Sequence, residues 1–144
     1  MINDFKPFIS RLRLSGLRPT KQRLMICKVL FDRKDTFHFT IDNLKKKLEK
    51  NTKSKISLAT IYNTVHAFRN SGYLREISLR GNKTFFDTNS KSHHHFYDKD
   101  TGNLSDIKNE DIFISKIPFA PKGKKISEVE VTISVANNNH YQKK

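Results

Sequence analysis

The sequence predicts an α+β chain: an N-terminal winged helix-turn-helix domain followed by a small α/β dimerisation domain. Three observations predict it. Residues 1–87 show helical apolar spacing four times, then two short alternating segments around a Gly/Asn turn. Positive charge is concentrated in the same part: residues 1–87 hold 19 Lys/Arg against 7 Asp/Glu, whereas residues 88–144 hold 9 against 7. After the small polar stretch 88–92, "TNSKS", the pattern changes to strand alternation with little helix.

The elements follow in order. Phe5, Phe8, Ile9 and Leu12 mark a first helix, stopped at Gly16. Pro19 breaks the chain, Thr20 can cap, and Leu24, Cys27, Leu30 and Phe31 mark a second helix over about 21–32. "DTFHFT" reads as a break with His38 in a loop. Thr40 then caps a third helix with Ile41, Leu44 and Leu48 inward. Ser57 caps a fourth helix from Leu58 to about Asn70, with Leu58, Ile61, Val65 and Phe68 as its buried stripe and Gly72 as its stop. "YLREISL" and "KTFFDT" pair across "RGN" as the wing. Residues 1–87 are therefore the winged-helix DNA-binding domain and 88–92 the hinge. Residues 93–136 are the small dimerisation domain. There "HHHFYD" and "NLSDI" read as strands, "NEDIFISKI" as a short helix and "ISEVEVTISV" as a strand. Residues 137–144 lack periodicity and read as a disordered tail.

Two small lobes would each be marginal alone, and exposed strand edges need covering, so a homodimer is expected. No apolar run approaches membrane-spanning length, and "MINDFKPFIS" lacks a signal-peptide pattern. The single Cys27 excludes an intrachain disulfide and a thiolate zinc cluster. A cytoplasmic protein without membrane association is expected. The net charge of +14 points to a polyanion as partner, although a Lys-rich surface can also serve solubility alone.

The fourth helix is the reading helix. Outside its stripe it carries Ser57, Ala59, Thr60, Tyr62, Asn63, His66 and Arg69, a small, hydroxylated face without acids. Such a face suits the major groove: small residues allow close approach, and hydroxyls and amides meet base edges. Tyr62 can contact a thymine methyl and Asn63 an adenine edge. Arg18, Lys21 and Arg23 can reach phosphates or a minor groove. Arg75, Arg80 and Lys83 line the wing and suit backbone contacts. Lys45, Lys46 and Lys47 read as a solvated face.

Strand alternation puts His93 and His95 on one face and His94 on the other. If the strands around them form a hairpin, Asp106 lies beside the pair. Asp87 ends the wing and His38 precedes the third helix. Three imidazoles and two carboxylates suit Fe²⁺, Mn²⁺ or Zn²⁺. The competing reading of the triplet is an exposed polar strand.

"LRPTKQRLMICKVL", "FHFTIDNL" and "ISLATIYNTVHAFRNSGYL" resemble the ferric uptake regulator superfamily. The stretch from "SLATIYNT" through "FFDTNSKSHHHFYDKDTGNLSDI", with "IPFAPKGKKISEVEVTI", resembles its iron response regulator branch. The resemblance covers about residues 10–135. It implies a homodimeric, iron-linked transcriptional regulator and no enzyme, bound to a palindromic double-stranded operator. The regulatory metal site of the superfamily maps onto His38, Asp87, His93, His95 and Asp106. The branch also implies haem sensing, with His93, His94 and His95 as the haem-binding stretch, and control of haem-synthesis and iron-uptake genes.

The chain departs from the superfamily in several places. Asp98 and Thr101 stand where relatives keep a first Cys-x-x-Cys pair and the second pair is absent, so no structural zinc held by four cysteines is expected. Val129 replaces a frequent histidine of a second site, leaving His94 and Glu130 as partial candidates. Cys27 is followed by Lys28, so an N-terminal Cys-Pro haem motif is missing, and Cys27 fits as core. A metal-activated or peroxide-sensing repressor without haem is the first alternative. A metal-dependent nuclease and a purely architectural DNA binder are more distant ones.

Overall fold

A computed structural model describes residues 5–81 and 83–138. The chain divides into two compact units, Met1–Ser90 and Lys91–Lys144.

In the first unit, α1 spans Lys6–Leu14, α2 Lys21–Phe31, α3 Ile41–Thr52 and α4 Leu58–Asn70. Each of the last three begins on a hydroxyl cap. Thr20 accepts from the Arg23 amide, Thr40 from Asn43 and Ser57 from Thr60, satisfying donors a helix start leaves open. At Thr40 the cap is reciprocal, because the Asn43 side chain returns to the Thr40 amide. Gly72 follows α4 at φ +83°, a conformation a Cβ disfavours. The helices close over one core that includes Leu12, Ile26, Leu30, Leu44, Leu48, Ile61, Val65 and Phe68. Side chains of this size each contribute about 1.5–3 kcal/mol when fully buried.

One expectation changes here. Leu58 is not in the buried stripe; it is 43% exposed, and Thr64 lies inward instead. Leu58 is the first residue of α4, where the core is not yet beneath the helix. Thr64 can be buried because its hydroxyl donates to the Thr60 carbonyl at 2.7 Å.

The wing is a sheet of three strands, not two. Strands β2 (Arg75–Leu79) and β3 (Lys83–Asp87) form the expected hairpin. His38–Phe39 is a third strand, β1, giving the order β1-β3-β2. His38 therefore lies on a strand rather than in a loop, paired opposite Asp87, with Phe39 opposite Phe86. Two residues are too few for alternation to reveal. The pairing continues outward, where the Phe37 amide donates to Thr88 Oγ1 at 3.0 Å.

In the second unit, β4 (His94–Asp98) is central, antiparallel to β5 (Leu104–Ile107) and parallel to β6 (Thr132–Val135). The expected helix over "NEDIFISKI" is only a single 3-10 turn at Asn109–Asp111. Its apolar residues do not cover a core: Phe113 is 91% exposed. The expected strand 126–135 is regular only at Thr132–Val135, because its first half meets no strand partner among the described residues. Of the expected tail, residues 139–144 lie outside the described residues.

Candidate metal centre and nucleic-acid interface

Each unit carries a histidine–carboxylate cluster. In the first, the β1–β3 register sets His38 beside Asp87, with Nε2 3.0 Å from Oδ2. Asp87 is buried, and its other oxygen accepts the Asn89 amide at 2.8 Å. A buried carboxylate is costly unless donors or cations face it. Residues directly opposite across an antiparallel ladder share a face. Arg75 pairs with Asp87 from the β2 side, so His38, Asp87 and Arg75 share one face at the base of the wing.

In the second unit, the β4–β5 register sets His95 opposite Asp106. Asp106 Oδ1 lies 3.0 Å from His93 Nε2 and 3.4 Å from His95 Nε2, and the two imidazole centroids are 4.3 Å apart. His93 Nδ1 lies 2.6 Å from the Lys91 carbonyl. A carbonyl only accepts, so Nδ1 carries the proton and Nε2 is the atom aimed at Asp106. Such a backbone bond is how a ligating histidine is oriented. His93 and His95 are both buried.

His94 differs, as alternation predicts. Its Nδ1 accepts the Val131 amide at 2.9 Å, tying β4 to the chain entering β6. Asp98 caps the β4–β5 turn: its Oδ1 accepts the Asp100 amide at 2.8 Å and that of Thr101 at 3.1 Å. Those backbone donors, Thr101 first, hold its carboxyl below the ordinary value. Val129 and Glu130 lie in the irregular, exposed segment before β6.

The expected DNA-facing residues of the first unit gather around the start of α4. Ser57, Ala59, Tyr62 and Asn63 are exposed and Thr60 is half-buried. Ser57 and Thr60 hydroxyls lie 2.8 Å apart and both belong to the cap, so they shape the helix start. Arg18, Lys21 and Arg23 meet Thr60 around an open hollow of about 540 Å³, with Thr20 and Gln22. Arg23 Nη1 donates to the Arg18 carbonyl at 3.0 Å, which fixes the turn before α2. Lys83 begins β3 beside the wing turn and is exposed, whereas Arg75 sits at the far end of the hairpin opposite Asp87.

Sequence reasoning did not anticipate two features of α4. Leu58 joins the exposed face of α4, which only the depth of the core reveals. His66 stacks on Tyr62, a contact that the i, i+4 spacing could have indicated. Arg69 is ion-paired with Glu76 of β2.

The profile of the ferric uptake regulator family matches residues 14–134. The chain belongs to the ferric uptake regulator family. It is thus one of a family of metal-responsive, DNA-binding transcription regulators that act as dimers, and not an enzyme. The ferric uptake regulation protein of Rhizobium leguminosarum bv. viciae is 31% identical over 98 residues, 67% of each chain. The peroxide-responsive repressor PerR of Staphylococcus aureus strain Mu50 is 30% identical over 105 residues, 73% of this chain and 69% of the relative. Among solved structures, the Vibrio cholerae ferric uptake regulator aligns at TM-score 0.66 with 19% identity, covering 90% of this chain and 99% of that one. The manganese-bound regulator of Pseudomonas aeruginosa aligns at 0.64 with 22% identity, covering 90% and 96%. These alignments carry the family fold: a winged helix with a second α+β unit. No helix among the described residues is long and apolar enough to cross a membrane.

Proposed function

We propose that this family member is a homodimeric repressor-type regulator with one regulatory cation per chain. His38 and Asp87 of the first unit and His93, His95 and Asp106 of the second would hold it jointly. The observation that carries this reading is the pair of half-sites, each with an imidazole Nε2 3.0 Å from a carboxylate oxygen. Their combined donors, three nitrogens and two carboxylates without sulfur, fit Fe²⁺, Mn²⁺ or Zn²⁺. A cation taken by both halves supplies a coupling free energy between effector and DNA.

Residues 1–87 serve as the DNA-binding domain, 88–92 as the hinge and 93–136 as the dimerisation and sensing domain, in the cytoplasm with the operator. Ala59, Tyr62 and Asn63 read bases, and Ser57 and Thr60 set the helix start against the backbone. Arg18, Lys21, Arg23 and Lys83 contact phosphates or a minor groove. Arg75, the register partner of Asp87, is assigned the same backbone contact from the far end of the hairpin.

Calorimetric titration of Mn²⁺ tests the joint site. One ion per chain is expected, with His38→Ala and His93→Ala each removing that same binding event. A variant of either half that leaves a full-strength event on the other overturns it.

Control of iron and haem genes, with haem sensed at His93, His94 and His95, is the narrower reading and rests on the iron response regulator resemblance. His94 enters with a constraint. Ligating iron through Nε2 needs the proton on Nδ1, which gives up the Val131 amide bond. Adding haem and Mn²⁺ separately to the protein–operator complex at fixed salt decides between them. Release by haem supports the narrower reading. Tighter binding with Mn²⁺ and no effect of haem leaves a metal-activated or peroxide-sensing repressor without haem sensing.

A further inference from the structure

Tyr62 stands on the exposed face of α4, yet its ring is braced from behind. It stacks on the His66 imidazole with centroids 5.3 Å apart and planes 18° from parallel. His66 meets Phe86 edge-on at 5.9 Å and 88°, and Phe86 stacks on Phe39 at 5.7 Å in the buried sheet. Arg69 holds a further side: its Nη2 lies 3.4 Å from His66 Nδ1, and the guanidinium is ion-paired with Glu76 of β2. A half-exposed tyrosine ring is thus fixed, through one imidazole, to the core of the wing.

We propose that His66 is a positioning residue for sequence readout. It presents the Tyr62 ring to the bases and so sets how sharply the chain distinguishes its operator from other DNA. The proposal rests on the assignment of α4 as the reading helix. A side chain already held in its bound orientation loses less freedom on binding than one that must be ordered by the complex. This gain belongs to specific complexes, where the ring meets a base edge. Non-specific binding runs on phosphate contacts, here Arg18, Lys21, Arg23 and Lys83, and does not need the ring fixed.

The test measures the affinity ratio between operator and unrelated duplex at fixed salt and fixed Mn²⁺. The operator is the duplex that the wild-type chain itself enriches from a random-sequence pool. His66→Ala is expected to lower the ratio about tenfold, the scale of one base contact, while affinity for unrelated duplex stays within about twofold. His66→Phe keeps a flat platform and is expected to restore most of the ratio. In a Tyr62→Ala background, His66→Ala is expected to cost nothing further. His66→Gln replaces the alanine variant if thermal melting shows that His66→Ala is unfolded at assay temperature. An unchanged ratio in His66→Ala, equal losses on both duplexes, or a full additional loss in the Tyr62→Ala background overturns the positioning role. If Tyr62→Ala by itself leaves the ratio intact, the base-reading assignment of Tyr62 fails and the positioning role fails with it.

Discussion

Cys27 shows how a single residue's chemistry is decided by depth. Its spacing with Leu24 and Leu30 suggests a core position, and it is fully buried in α2. Burial pushes its thiol up to about 12, outweighing the nearby Arg11 charge. The nucleophilic thiolate is therefore absent at neutral pH. A disulfide reagent at pH 8 should leave the folded chain unmodified and titrate one thiol once guanidinium unfolds it; rapid modification of the native chain would contradict this. Asp98 is a different case, half-buried and held low by the Thr101 and Asp100 amides. A carboxyl whose folded value lies below its unfolded value contributes stability above the unfolded value, and that contribution is lost as pH falls through the folded one. Asp98→Ala should be less stable than wild type at pH 7, with the gap closing toward acid. A gap that widens on acidification would reverse the sign. The sequence places Asp98 at the end of a strand, before the turn that joins it to the next. That its carboxylate caps this turn through two backbone amides is decided by the three-dimensional placement of the chain.

Among the elements, α4 was the most legible and still misread at one end. Its length, cap and stop follow from Ser57, the apolar period and Gly72, because those are local signals. Which turn of the helix first reaches the core is not local, and Leu58 lies beyond it. Leu58→Ser should therefore change stability by less than about 0.5 kcal/mol. Ile61→Ala, fully buried one turn later, should cost about 2–5 kcal/mol in urea unfolding. Equal costs would restore Leu58 to the core. The strands divide in the same way. Hairpins β2–β3 and β4–β5 are readable from alternation around short turns. The two-residue β1 and the limited extent of β6 depend on partners distant in sequence, and alternation at 126–131 cannot supply a partner strand.

At the scale of the molecule, the two units differ in how they are held. The first encloses a contiguous apolar core. In the second, the buried residues among those described are His93, His95 and Ile107, while Phe96, Phe113, Phe119, Ile126, Ile133 and Val135 are exposed. Phe96 pairs in register with Ile133, so part of this surface forms one face of the sheet. A unit with so little buried apolar area gains its stability by burying that face elsewhere, in keeping with the dimeric habit of the family. The melting temperature should therefore rise with protein concentration over the micromolar range. A concentration-independent transition, with a monomer in sedimentation, would contradict this.

What the sequence determined by itself was whatever local periodicity and residue type carry. These are the helix order, the caps, the hairpin turns, the charge asymmetry, the split of His94 from His93 and His95, and, through resemblance, the family. What only the tertiary structure decided was whatever depends on pairing across the chain. His38 became a strand residue opposite Asp87, Asp106 was fixed at 3.0 and 3.4 Å from two imidazole nitrogens, and Arg75 was set opposite Asp87. His66 likewise became the support of Tyr62. The physical reason is the same throughout. Helical and strand periods constrain which face a side chain takes, but a cross-strand neighbour or a ring stacked on the sheet is set by register, and register is a property of two segments rather than one.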